Sequence, residues 1–439
     1  MPTQFDPPSG TRDFLAAELG KRERAFALIR EVFARYGFEP LQTPAFERLD
    51  VLTGKYGEDG EKLIFKILRR GEHEASGEAD LALRYDMTVP LARVAAAYGS
   101  QLPVPYKRYA MGPVWRADRP GHGRYREFTQ CDVDTLGSSS PMSDAEIICA
   151  VHDVLAGLGV GAFTIQLNSR QLLAGLLDVY GVPDSAGASV LIALDKLDRL
   201  SAAEVTAELT ERGLPQAVAA ELVEAVAAPD AADRMRDVLK GSEAGTAGLD
   251  EVSRVLDLAG AQLPPGRVAF SPRLVRGLSY YTGPIWEATA EGTPGSLAGG
   301  GRYDYLIEQL GGPDVPATGG SLGIERILLM LADDGGGAGS RLDVAVTVLG
   351  EDLAAASFGF AAQARTAGLR ASTYLGSSGK LGRQLKWASD QGARWSVIYG
   401  PADEAAGTVT VRDMVSGEQS AVLSAALGDH LAALASQGE

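Results

Sequence analysis

A chain of 439 residues, 45% hydrophobic and 22% charged, is long enough for two or three domains with substantial cores and excludes a fibre or a wholly disordered protein. Its formal net charge of −16 argues against non-specific coating of nucleic acid, while leaving room for a grip on RNA through local basic patches. No apolar run approaches a membrane span, and the opening MPTQFDPPSGTRDF has no signal core. Cys131 and Cys149 make neither a CxxC pair nor a disulfide framework, so a cytoplasmic protein with no membrane partner is expected.

After the turn PPSGTRD, apolar residues at helical spacing in KRERAFALIREVFARYG predict a helix. FEPLQTPAFERLDVL reads as a strand running into Pro44 and then a short helix. KLIFKILRR and LALRYDMTVP read as strands, LARVAAAYGS as a helix, and VPYKRYAMGPVWRAD and RYREFTQCDVDTLG as strands again. Strands joined by turns with few helices between them predict an antiparallel sheet. From about 144 to 180 the pattern reads as helix, and the Ala-rich stretch at about 184–262 as a helical insertion. GRVAFSPRLVRGLSYYTGPIWEATAE, GSLAGGGRYDYLIEQLGG and GGSLGIERILLMLA resume the sheet, with LVRGLSYYTGPIWE as a strand. DDGGGAGS, residues 333–340, has the composition of a linker, and beyond it strands and helices alternate in a small α/β domain, 341–439.

In GPVWRADRPGHGRYREFTQCDVD the chain turns back at Pro120, Gly121 and Gly123, which brings Arg116 near Phe128 and Gln130. An arginine beside an aromatic suits a nucleotide, pairing with phosphate while the ring stacks on a base. No GxxxxGK[ST] motif is present, so phosphates would be held by arginines. Lys107, Arg108, Arg116, Arg119, Arg124 and Arg126 face only Asp118 in that stretch, and Lys380, Arg383 and Lys386 make a second basic ridge if helical. Arg276, in an otherwise apolar run, must find an anion or reach solvent. The glycines of AGGGRYDYL serve either a turn or the close approach of a ligand, and the sequence leaves both open. His73, His122, His152 and His430 are scattered, and no metal ligand set is identified.

Read together, RADRPGHGRYREF, LRYDMTVP, LVRGLSYYTG, AGGGRYDYL and GGSLGIER resemble the histidyl-tRNA synthetases, class II aminoacyl-tRNA synthetases, in an order that holds from GTRDF to SGEQ. The resemblance implies an α+β fold: a six-stranded antiparallel sheet flanked by helices in a catalytic domain, 1–332, with the helical insertion, the linker and a C-terminal anticodon-binding domain, 341–439. It implies that Arg116 contacts the α-phosphate of ATP, that Phe128 stacks on adenine, that Arg326 holds the distal phosphates, and that Asp118 and Arg124 add ATP contacts. Asp86, Thr88 and Gln130 would bind the α-amino group of histidine, Asp134 and Tyr281 its imidazole, with Tyr280 completing the wall. Arg276 would lie between the amino acid's carboxylate and the α-phosphate. ATP and Mg²⁺, histidine, tRNA(His) and a second copy of the chain are the implied cofactors and partners. The implied activity is a histidine–tRNA ligase; a paralogue with a non-tRNA acceptor and a regulatory histidine-binding paralogue are the alternatives. Ser279 stands where the family usually has aspartate.

Overall fold

The computed structural model describes residues 5–71, 76–275, 280–293, 295–331 and 342–437. The chain divides into two compact units, one of residues 1–14 and 21–332, the other grouping 15–20 with 333–439. The expected linker, 333–340, lies outside the described residues.

Among the described residues, eight strands form the main sheet of the large unit, in the order Glu39–Pro40, Tyr106–Trp115, Glu127–Leu136, Ala317–Gly323, Ala298–Arg302, Pro284–Ala290, Phe163–Ser169 and Val268–Phe270. The six inner strands are antiparallel, as expected. The two short edge strands run parallel to their neighbours. The region at 144–180 is not continuous helix: Phe163–Ser169, FTIQLNS, is a strand between the helices Pro141–Gly157 and Arg170–Val179. Its alternating Phe163, Ile165 and Leu167 are buried, and strand pairing on both sides overrides the helical pattern around it. Among the described residues of LVRGLSYYTGPIWE the expected strand is also corrected, since it begins at Pro284 and Tyr280 and Tyr281 precede it.

Side chains alternate across the sheet, so its two faces separate cleanly. On one face Cys131 and Val133, Leu322, Ala298, Trp286 and Ala288, and Ile165 and Leu167 pack with Ile147 and Val151 of the helix Pro141–Gly157 and with Ile29 and Phe33 of the helix Ala16–Arg35. On the other face the same strands present Gln130, Asp132 and Asp134, Gly319, Ser321 and Gly323, and Gly299 and Gly301. One end of that second face is covered by the helix Thr88–Tyr98 with Tyr280 and Tyr303. The rest stays open.

The helices from Arg170–Val179 to Ala231–Val238 share their own core, with Leu176, Val205, Leu222 and Met235 fully or almost fully buried. The helix Glu243–Gly260 belongs to both cores, Leu249 facing the helical cluster while Val252 and Val255 face the sheet. No single described helix is long and apolar enough to cross a membrane.

In the small unit a five-stranded sheet runs Ala371–Thr373, Val344–Val346, Trp395–Ile398, Thr408–Asp413, Gln419–Leu423. The first three strands are parallel and the last two antiparallel. Phe360, Val397, Leu427 and Leu431 fill its core. A final helix, Leu427–Ser436, follows the expected hairpin.

Trp286 lies under the glycines of the central strands. A Cβ at Gly320 would sit 2.1 Å from its Cζ2. Gly320→Ala is therefore expected to destabilise the protein by about 1–3 kcal/mol in urea unfolding, as overpacking does. Combined with Trp286→Phe, the loss should be smaller than the sum of the two single losses; simple additivity would refute the contact.

Candidate active site

A cavity of about 440 Å³ occupies the open part of the sheet's second face, a volume suited to a small ligand. Its first wall is the hairpin made by Tyr106–Trp115 and Glu127–Leu136, in register from Tyr106↔Leu136 to Trp115↔Glu127. Arg116 leaves the end of the first strand with its guanidinium 4.3 Å from the Tyr85 ring centroid and 5.2 Å from that of Phe128. Its Nε donates to the Tyr85 carbonyl at 3.2 Å. Two rings and a backbone acceptor thus fix one positive charge in the wall. Asp118 is buried and pairs at 2.7 Å with Arg124 Nη2, while Arg126 Nε donates to the Asp118 carbonyl.

The second wall starts where the strand Ala317–Gly323 passes directly into the helix Ile324–Met330. Glu325 is buried and accepts from Arg22 Nη1 at 2.8 Å, from Arg22 Nη2 at 2.9 Å and from the Thr129 amide at 3.2 Å, and it also pairs with Arg12. Its neighbour Arg326 donates to the Ser296 carbonyl at 2.9 Å. Arg12 in turn stacks 3.6 Å above the ring of Tyr125, a residue of the hairpin loop that lines the cavity.

The floor is bare. Gly299, Gly319 and Gly323 fall on the open face, and Gly300 and Gly320 on the face above Trp286. A Cβ at Gly299 would meet only the Trp286 carbonyl oxygen at 3.5 Å and Glu287 Cγ at 3.9 Å, so nothing in the protein requires glycine there. The 298–302 segment is a strand, which removes the turn reading of the AGGG run and leaves close approach of a ligand to explain Gly299.

The deep end is acidic. Asp86 accepts from the Val89 amide at 3.0 Å and the Tyr56 hydroxyl at 3.2 Å, with the Tyr280 hydroxyl at 3.4 Å on its other oxygen. Asp134 receives the Tyr303 hydroxyl and lies 2.9 Å from Nη2 of Arg108, which is wholly buried and also donates to the Met87 carbonyl. Asp132, 1% exposed, sits between Gln130 and Asp134 on the same strand face. Burial raises the pKa of all three carboxyls. Asp132 reaches about 7, burial acting first, with Arg108 opposing it and Asp134 and Asp86 adding to it. Burial likewise raises Tyr56, Tyr280, Tyr281 and Tyr303 above the usual phenol range, so they remain neutral donors.

Comparison with known proteins identifies the family. The family profile described as histidyl-tRNA synthetase matches residues 10–327, and one described as anticodon binding domain matches 343–433. This chain is a histidyl-tRNA synthetase family member. A histidine–tRNA ligase of Gloeobacter violaceus is 39% identical, covering 96% of this chain and 97% of that protein; one of Cereibacter sphaeroides is 38% identical, covering 94% and 91%. The crystal structure of histidyl-tRNA synthetase from Nostoc sp. superposes with a TM-score of 0.78 at 29% identity, over 98% of this chain and 99% of that one.

Of the residues expected to serve a histidyl-tRNA synthetase site, Asp86, Thr88, Arg116, Asp118, Arg124, Phe128, Gln130, Tyr280, Tyr281 and Arg326 all line the cavity. Asp134 stands on the same face but is not part of that lining, its carboxylate lying against Gly319, its partner on the neighbouring strand. Arg276 and Ser279 fall outside the described residues. Sequence reasoning passed over Tyr56, Arg108, Asp132, Tyr303 and Ser321. Asp132 was recoverable, since strand alternation puts it in line with Gln130 and Asp134. Arg108 looked like one more residue of a basic surface patch and is 0% exposed.

The folded state binds the Asp132 proton more tightly than the unfolded chain does, because its pKa rises from 3.8 to about 7. Ionising it therefore costs stability, a cost absent below pH 4 and complete above pH 7. Asp132→Asn removes that cost. Its stability relative to the parent, from urea unfolding, is expected to rise across this window by up to about 1.4 kcal/mol per pH unit. A difference that does not change with pH would refute the assignment.

Proposed function

We propose that the chain is a histidine–tRNA ligase that activates histidine with ATP to the adenylate and then transfers the histidyl group to the 3′ end of tRNA(His). One juxtaposition supports this most directly: a fixed arginine between two aromatic rings at the mouth and a pocket of buried carboxylates at the deep end share one bare-floored cavity.

In the first step a histidine carboxylate oxygen attacks the α-phosphorus and the bond to pyrophosphate breaks. Two anions must meet, so catalysis consists of positioning them and offsetting their charge. Arg116 does this at the α-phosphate, with Phe128 against adenine and Arg326 at the distal phosphates; Asp118 holds Arg124 for a further ATP contact. Arg276 takes the substrate carboxylate. No protein nucleophile is needed. Asp86, Thr88 and Gln130 receive the α-ammonium, while Asp134 and Tyr281 face the imidazole beside Tyr280. A buried carboxylate rejects side chains without an N–H, which would leave it unpaired. In the second step a ribose hydroxyl of tRNA attacks the adenylate carbonyl and AMP leaves.

Mg²⁺ is ordinarily held by one or two carboxylates and the nucleotide's own phosphates. Glu287 lines the cavity on the open face, opposite Gly299 in the register, and would be the protein ligand. The ion would offset phosphate charge. We place the protein in the cytoplasm, where its buried free cysteines stay reduced, as a homodimer with catalytic residues 1–332 and anticodon-binding residues 341–439.

The test is histidine-dependent ATP–pyrophosphate exchange, followed by charging of unfractionated tRNA. Both should occur with histidine. Exchange with another amino acid but not histidine would overturn the specificity, and exchange without charging would favour a paralogue with a different acceptor. Gly299→Ala should fold normally yet raise the KM for ATP about tenfold or more, equivalent to about 1.4 kcal/mol, while moving that for histidine little. An unchanged KM for ATP would show that the nucleotide does not lie on this floor.

A further inference from the structure

Two buried acceptors beside the cavity have no hydrogen-bond partner: Gln130 Oε1 and Asp132 Oδ1. Gln130 is 8% exposed and Asp132 1%. Leaving such atoms unpaired is costly, and an unpaired carboxylate oxygen more so. Their orientation follows from a relay. Gln130 Nε2 donates to Ser321 Oγ at 2.8 Å, and Ser321 stands opposite Asp132 in the strand register, its hydroxyl proton left for that carboxylate. A hydroxyl has a single proton. Having given it to Asp132, Ser321 can only accept from the Gln130 amide nitrogen, which fixes the amide carbonyl as the free end. Reversing the amide would set two acceptors against each other. The relay therefore aims two acceptors outward from adjacent positions on one strand face, and both Gln130 and Ser321 line the cavity.

The charge balance points the same way. Asp86, Asp132 and Asp134 share the deep end with Arg108, two of whose nitrogens, Nε and Nη1, are themselves unpaired, while buried Arg84 acts on Asp132 and half-buried Arg116 on Asp86 through charge alone. Asp86 and Asp134 each already accept from hydroxyls or amides. Asp134 Oδ2, although without a hydrogen bond, has its ion pair with Arg108, whereas Asp132 Oδ1 has neither, and a cationic N–H donor is what it lacks.

We propose that Asp132 is a direct ligand of the amino acid's α-ammonium group, sharing it with Gln130 Oε1, and that Ser321 is the residue that positions both. The inference rests on the histidine subsite proposed above and adds a residue that sets how strongly the amine is required. It also explains Ser321, because without its hydroxyl neither the amide nor the carboxylate has a fixed orientation.

The experiment compares histidine with 3-(imidazol-4-yl)propionate, which keeps the imidazole and carboxylate and lacks the amine, as substrate and competitive inhibitor of exchange. In Asp132→Asn the side-chain oxygen must still face the Ser321 proton, so the free acceptor becomes an NH₂ donor that opposes an ammonium. The expected result is a rise in the KM for histidine of at least about tenfold, with the KM for ATP and the inhibition constant of the propionate within about threefold of the parent. Ser321→Ala should lower the same histidine-to-propionate preference by a smaller factor. An unchanged KM for histidine in Asp132→Asn, or equal weakening of histidine and the propionate, would overturn the proposal. A preference untouched in Ser321→Ala would overturn the relay. If the parent protein itself showed no preference for the amine, the histidine subsite would fail before Asp132 came into question.

Discussion

The ten residues Glu127–Leu136 have a covered core on one side and an acidic pocket on the other, and the two-residue period of a strand is what makes both possible at once. Cys131 and Val133 join the apolar core beneath, while Gln130, Asp132 and Asp134 stand on the opposite face, with Gln130 lining the cavity. Shifting the strand by one residue would put carboxylates into the core and valine into the site. The register with Tyr106–Trp115 and with Ala317–Gly323 is thus a chemical requirement as much as a structural one. The glycines of the neighbouring strands follow from it. Where the face is covered they make room for Trp286, and where it is open they leave the backbone bare.

Burying Asp86, Asp132 and Asp134 close together, with Arg108 paired directly to Asp134, is an unfavourable arrangement for the protein alone. An internal ion pair does not recover its full desolvation cost, and an unpaired oxygen beside it recovers nothing. Such a site is stabilised by what enters it. The pocket keeps its phenols neutral and crowds its carboxylates, so a ligand that brings cationic N–H groups both meets acceptors and favours their charged form. The mouth has the opposite character, with Arg116, Arg124 and Arg326 along its walls. A molecule with an amine at one end and phosphates at the other meets complementary charge along the whole cavity.

Much of this was legible in the sequence. The antiparallel inner strands and the hairpin that brings Arg116 to Phe128 depend on local spacing, which alternation and turn residues encode directly, whereas the AGGG run read equally well as a turn. The strand Phe163–Ser169 was hidden because its pairing partners, Val268–Phe270 and Pro284–Ala290, lie roughly a hundred residues away on the far side of the helical stretch. Arg108 and Tyr303 were hidden for a related reason. A buried arginine and a surface arginine look alike in sequence, and only the contact of Tyr303 and Arg108 with Asp134 distinguishes them. Asp118 shows the reverse case, a charge that reads as solvated and is held by Arg124 in a wall.

The ion pair between Arg22 and Glu325 joins residues 303 positions apart, and the pairing of Arg12 with the same carboxylate spans 313. At a synthesis rate of about 5–20 residues per second, the N-terminal helix waits roughly 15–60 s before its partner leaves the ribosome. Through that interval Ile29, Val32 and Phe33 have no complete sheet to cover them, since the strand Ala317–Gly323 arrives with Glu325. The first segment made is among the last to be locked in place. Growth conditions that slow elongation, or a shortage of chaperone able to shield that helix, would therefore lower the yield of folded protein without touching a single residue of the cavity.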